Sequence, residues 1–81
     1  VIEMEVAIQR EDGFHARPAS EFVKVANKYK SNIYIKKNEK LISAKSILNL
    51  MSLALSKGET MILSIDGEDE AQALEELLGI L

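Results

Sequence analysis

Gly13-Phe14-His15-Ala16-Arg17-Pro18-Ala19 divides this chain into elements, because the periodicity changes across it. Before it, Ile2, Met4, Val6 and Ile8 alternate with Glu3, Glu5, Ala7 and Gln9. That period of two predicts a strand with one buried face. After it, Ala19, Phe22, Val23, Ala26 and Tyr29 recur at helical spacing, which predicts a helix from about Ala16 to Tyr29. Arg10 to Gly13 reads as a polar turn, and Pro18 suits a first helical turn, where its missing N–H costs nothing. Glu21 is placed to pair with Lys24 or Lys28 on the outer face of that helix.

The start of the helix is chemically unusual. Ser, Thr, Asp or Asn normally caps such an end by accepting its free N–H groups, yet His15 stands there. Arg17 puts a cation in the first turn, where the helix dipole favours anions. Both features fit if an anion comes to the site, since free amides and a guanidinium converge on phosphate readily. The positive helix end also disfavours imidazolium, leaving His15 neutral and nucleophilic. The expectation is that His15 accepts a phosphoryl group held by Arg17 and the helix-end amides. The competing reading is a partly exposed histidine at an ordinary loop–helix boundary.

Downstream, Ile33 to Lys37 and Lys40 to Ser43 read as a hairpin turning at Asn38. Ser46 is placed as the N-cap of a second helix that runs through Ile47 to Leu55 and ends at Lys57-Gly58. That helix is apolar nearly all round. Ile47, Leu50, Met51 and Ala54 form one stripe, with Leu48 and Leu55 off it. Either it is deeply buried, which the pattern alone favours, or part of it is a docking patch. Thr60 to Ile65 is a fourth strand and Asp66-Gly67 a turn. Ala71, Leu74, Leu78 and Leu81 mark a third helix with acids at its start. The order βαββαβα predicts an α+β domain of two layers, three helices over one face of a four-stranded sheet. Glu3, Glu5, Tyr34, Lys36 and Ser64 are candidates for the wetter face.

Eighty-one residues are expected to form a single domain, 1–81, with one modest core. The absence of cysteine excludes a disulfide framework, a thiolate metal site and a thiol nucleophile. A lone histidine and no cysteine pair also argue against a carrier of soft metals. The N-terminus lacks a signal-peptide pattern and no apolar run reaches membrane length, so a soluble cytoplasmic protein without membrane insertion is expected. Net charge is −3, unevenly placed. His15 to Lys57 carries nine Lys or Arg against Glu21 and Glu39, whereas Gly58 to Leu81 carries seven acids and no base. The candidate site therefore lies in the basic part, which suits phosphate or an acidic protein partner. Nucleic acid is not expected, given the acidic balance and four aromatics.

The segment Gly13 to Ala19 resembles the phosphohistidine signature of the HPr family, phosphocarriers of the bacterial phosphoenolpyruvate:sugar phosphotransferase system. Ala44-Lys45-Ser46-Ile47-Leu48-Asn49-Leu50-Met51-Ser52-Leu53 resembles the family's regulatory-serine segment at the expected distance. The likeness runs over nearly the whole chain. It implies an open-faced β-sandwich with an antiparallel sheet in the order 1-4-2-3. It implies that His15 takes a phosphoryl group from phospho-Enzyme I and passes it to sugar-specific IIA components, with Arg17 stabilising the phosphate. Such a chain is a stoichiometric carrier without cofactor or metal, rather than a stand-alone enzyme, and is expected to be a monomer. Ser46 becomes a regulatory phosphorylation site, which brings in HPr kinase and a catabolite-control transcription factor as partners. Ile47, Leu48 and Met51 become a docking patch, with Ala16, Ser20 and Lys24 beside it, reversing the burial preference above. The same scaffold also serves nitrogen-type phosphotransferase carriers and mainly regulatory HPr-like modules; regulatory paralogues lack the histidine. Ala54 and Asn49 depart from residues common in the family at those places.

Overall fold

A computed structural model describes residues 1–9, 16–53 and 56–81. The elements are β1 (Ile2–Ala7), α1 (Ala16–Lys28), β2 (Asn32–Lys37), β3 (Lys40–Ser43), α2 (Ile47–Ser52), β4 (Thr60–Asp66) and α3 (Glu70–Leu78). The strands form one antiparallel sheet in the order β1-β4-β2-β3. This is the βαββαβα open-faced sandwich expected from the sequence.

Alternation decides which face of the sheet is dry. On β2 and β4, Ile33, Ile35, Met61, Leu63 and Ile65 are buried. They meet Ala19, Phe22 and Ala26 of α1, Leu50 of α2 and Ala73 and Leu77 of α3 in one core. Glu3, Glu5, Tyr34 and Lys36 point the other way and are exposed, while Ser64 is half-buried. At the hairpin, Lys37 pairs with Lys40 across a two-residue turn, and Asn38 takes a φ of 57°. Asn tolerates that left-handed conformation better than most residues.

Four expectations need correcting. Met4 is 42% exposed and Ile2 only half-buried, so β1 buries chiefly Val6, with Ile8 just beyond its end. β1 is an edge strand, and among the described residues no strand neighbours its outer side. The third helix turns a different face inward. Ala73 and Leu77 are buried, with Leu74, Ile80 and Leu81 packed beside them, whereas Ala71 and Leu78 are exposed. Its apolar residues support two phases, and packing against α1 and β4 selects one. The second helix has six residues and caps at Leu53, so Gly58 is not its C-terminal glycine. Instead Gly58, at φ 90°, sits in a turn closed by Glu59 N donating to Ser56 O at 3.0 Å. Finally, Lys28 pairs with Glu76 of α3 at 2.8 Å rather than with Glu21.

Beyond the core, a polar knot joins the α1–β2 connection to the start of α3. Ser31 is 1% exposed. The Asp69 carboxylate accepts from Lys30 N at 2.9 Å, from Ser31 N at 3.0 Å and from the Ser31 hydroxyl. A buried serine needs such partners, because an unsatisfied hydroxyl in the interior is costly. Gly67 lies against the same serine. A Cβ there would come within 2.6 Å of Ser31 Cα, so only glycine permits the approach.

These hydrogen bonds favour the ionised carboxyl. The Ser31 hydroxyl, then the Lys30 and Ser31 amides, hold Asp69 below the usual carboxylate range. Lys28 and the Tyr29 hydroxyl do the same to Glu76. A carboxyl whose folded pKa is lowered stabilises the fold fully above its unfolded value, about 3.9 for Asp. That contribution disappears as pH falls through the lowered folded value. Stability of the wild type should therefore fall between about pH 5 and pH 2. Asp69→Asn should start less stable at pH 7 and show a flatter acid limb in urea melts across that range. An unchanged limb would show that Asp69 is not held low by the knot.

Candidate functional site

α1 is the element that carries the candidate site. Its inner stripe, Pro18, Ala19, Phe22 and Ala26, is fully buried, which fixes the helix on the sheet from its first turn onward. Arg17, Ser20, Glu21 and Lys24 lie on the opposite face and are exposed. The first turn holds no acidic residue, so its amide end is not neutralised from within the helix. Arg17 therefore adds a second positive group to a positive helix end. His15 and residues 10–14 lie outside the described residues. The structure accordingly places Arg17, but not the ring that the sequence puts two residues before it.

α2 packs beside α1 and is held there by two side chains that the sequence did not single out. Asn27 Nδ2 donates to Val23 O at 2.9 Å and to Lys45 O at 3.2 Å. Lys45 Nζ donates to Tyr29 O at 3.1 Å, at the carbonyl end of α1. Cations favour that end of a helix. Neither contact had a legible signal, since a surface asparagine and a lysine suit many places.

Ser46 N-caps α2, as expected. Its φ of −116° is extended and its Oγ accepts from Asn49 N at 3.4 Å, a long bond. Leu50 N donates to Ser46 O at 3.1 Å, starting the helix proper. The residue is half-buried. On the helix itself, Leu50 is fully buried, Ile47 is half-buried, and Leu48 and Met51 are 79% and 45% exposed. So the sequence-predicted stripe is split. Of its members Leu50 serves the core and Met51 faces outward; Leu48, off the stripe, is exposed, Leu53 joins the core, and Ala54 and Leu55 lie outside the described residues.

A concavity of about 520 Å³ lies elsewhere, lined by Tyr29, Gln72, Glu75, Glu76 and Gly79. It is at the far end of α1 from Arg17. Its Glu76 already serves Lys28 and the Tyr29 hydroxyl. Arg17, Ser20 and Lys24 of α1 and Leu48 and Met51 of α2 are exposed and line none of that concavity.

The family model described as PTS HPr component phosphorylation site matches residues 2–81. The chain belongs to the HPr family. It is 42% identical over 81 residues to the HPr-like protein Crh of Halalkalibacterium halodurans, covering all of this chain and 96% of that protein. It is 43% identical over 77 residues to the phosphocarrier protein HPr of Haemophilus influenzae, covering 95% of this chain and 91% of that one. Among solved structures, HPr-C-His from Thermoanaerobacter tengcongensis superposes with a TM-score of 0.92. It shares 40% identity, over 99% of this chain and 90% of that one. An HPr dimer from the same organism also matches, with a TM-score of 0.73 and 39% identity over 93% and 86% of the two chains. A dimeric relative leaves the expectation of a monomer unsupported. No helix among the described residues is long and apolar enough to cross a membrane.

The split stripe on α2 separates residues committed to the core from residues facing solvent. Leu50→Ala should cost about 2–5 kcal/mol of folding stability, as buried leucines do. Leu48→Ser should move stability by no more than about 0.5 kcal/mol. Paired urea melts check this, and a large loss at Leu48 would mean that the outward leucine is in fact part of the core.

Proposed function

We propose that this chain is a phosphocarrier that accepts a phosphoryl group on His15 from phospho-Enzyme I and passes it to IIA components of sugar permeases. The observation that carries the reading is one juxtaposition. A chain of the HPr family has a histidine immediately before α1, whose first turn presents exposed Arg17 and no acid. Attack by a neutral ring nitrogen on phosphorus forms a P–N bond as the P–N bond to the donor's histidine breaks. Transfer onward reverses the roles. Such transfers depend on positioning and charge stabilisation more than on further covalent chemistry. Arg17 and the amide end of α1 supply charge stabilisation, and Ala16, Ser20, Lys24, Ile47, Leu48 and Met51 form the docking surface. The whole chain works as one domain, and a monomer is the transferring unit.

The test is phosphotransfer in vitro from phosphoenolpyruvate and Enzyme I, read by ³¹P NMR and mass spectrometry. His15→Ala should abolish the phosphohistidine signal. Arg17→Glu should slow transfer about a hundredfold, the scale for losing one group that stabilises developing charge, with the fold intact. A phosphohistidine signal that survives His15→Ala removes the reading, and unchanged kinetics in Arg17→Glu removes the role of Arg17.

A regulatory role at Ser46 is the second reading, favoured by the likeness to the Bacillus subtilis catabolite repression protein Crh, while the cap geometry itself also suits a purely structural serine. A phosphate on Ser46 adds a charge of about −1.5 to −2 beside Ile47 and Leu48, opposing acidic partner surfaces without breaking the helix start. HPr kinase and a catabolite-control transcription factor would be the partners. Incubation with a purified HPr kinase should label Ser46 and nothing in Ser46→Ala. No label on the wild type ends this second reading and leaves the first untouched.

A further inference from the structure

We propose that Glu59 is a positioning residue for this transfer, fixing the point at which the chain leaves β1 on its way to His15. The inference rests on the phosphocarrier reading and adds to it a residue outside the docking surface.

Glu59 precedes β4 and joins three segments. Its Oε1 lies 2.6 Å from Lys37 Nζ, at the end of β2. Its Oε2 accepts from Ser56 N at 2.5 Å, bracing the turn from Ser56 to Glu59. The braced turn then grips Ile8 from both sides. Gly58 N donates to Ile8 O at 2.8 Å, and Ile8 N donates to Glu59 O at 2.9 Å. Ile8 is 1% exposed and is the last buried residue described before the segment that leads to His15. The Lys37 side chain is only 15% exposed, so the ion pair is less screened than an ordinary surface pair.

In sequence, His15 lies between two anchors among the described residues. The second anchor is the start of α1, held by buried Pro18 and Ala19. The first is Ile8, held by the turn that Glu59 braces. Loosening that turn lets Ile8 shift while α1, α2 and their exposed residues stay in place. Transfer requires the ring nitrogen in line with a phosphorus, and an error of about 1 Å costs up to about a hundredfold. Glu59 itself touches no phosphate and takes no proton.

The readout is a split between rate and affinity. With phospho-Enzyme I as donor, Glu59→Ala should lower the saturated transfer rate about tenfold while changing KM by less than about twofold. Glu59→Gln keeps an oxygen for Ser56 N and should recover part of the rate. Lys37→Met removes the other partner and should reproduce the loss, which covers the case of a Glu59→Ala variant that does not fold. Hydrogen exchange at the Ile8 and Gly58 amides should quicken in step with the lost rate. Asp69→Asn is the control, because it loosens the far end of β4 and should keep the wild-type saturated rate. An unchanged saturated rate in Glu59→Ala and Lys37→Met overturns the proposal. So does an equal rate loss in Asp69→Asn at matched stability, which would reduce the effect to general loosening. A wild type that takes no phosphate from phospho-Enzyme I would instead sink the phosphocarrier reading, and this inference with it.

Discussion

The arrangement depends on β4 lying between β1 and β2. Both neighbours pair with it antiparallel, joining the beginning of the chain to its last third and to its middle. Met61, Leu63 and Ile65 face inward and are essentially removed from water, a burial worth about 1.5–3 kcal/mol for each such side chain. A slip of one residue would turn all three toward solvent and drive Ile62 and Ser64 into the core. Register is therefore set by the pattern of the strand itself. Its two ends are then pinned by different chemistry. At one end Glu59 meets Lys37 and the turn that holds Ile8; at the other, Gly67 and Asp69 close on Ser31.

The outward apolar residues follow from the length of α2. A helix of six residues has fewer than two turns, so it can bury little more than one residue, with help from its cap. Leu50 takes that place and Leu53 the cap, leaving Leu48 and Met51 no inward direction. α1, at thirteen residues, is long enough to keep a continuous buried stripe and a separate polar face. The two helices thus present different chemistry side by side, cationic from Arg17 and Lys24 and apolar from Leu48 and Met51. Asn27 and Lys45 hold them in that relation.

What the sequence disclosed was local. Period-two alternation located β1, composition and turn residues located the hairpin of β2 and β3, the helical spacing of Ala19, Phe22 and Ala26 gave the buried face of α1, and Ser46 announced itself as a cap. Strand order came from resemblance, since alternation along a strand says nothing about its neighbours. The misreadings share a cause: each needed a tertiary partner to decide between options that were locally equal. Met4 alternates correctly, but only the edge position of β1 leaves it half in water. α3 carries apolar residues in two phases, and only its neighbours choose Ala73 and Leu77. Lys28 had Glu21 within reach along the helix, yet Glu76, 48 residues away, is braced by Tyr29 and wins. Lys37 with Glu59, and Ser31 with Asp69, are likewise long-range pairs. Of the candidate site, the helix start and Arg17 were legible because each depends on the immediate sequence, whereas the outward Leu48 came from the resemblance, since the pattern alone favoured burial.

Relatives named as a phosphocarrier and as an HPr-like protein are about equally similar to this chain, at 43% and 42% identity. Overall likeness therefore does not separate the two, and the residues free to vary without disturbing the packing are the outward-facing ones. The structure shows why that division is possible. In the first turn of α1, Pro18 and Ala19 are committed to the core while Arg17 is free of it. On α2, Leu50 is committed and Leu48 is not. Substitution on the outward set alters charge and recognition with little effect on packing, whereas the inward set keeps the helix end in place for whatever stands before it. In the sequence a histidine precedes that helix, whose first turn carries Arg17 and no acid of its own. A phosphoryl carrier is proposed on that local combination rather than on the scaffold, which relatives of both names share.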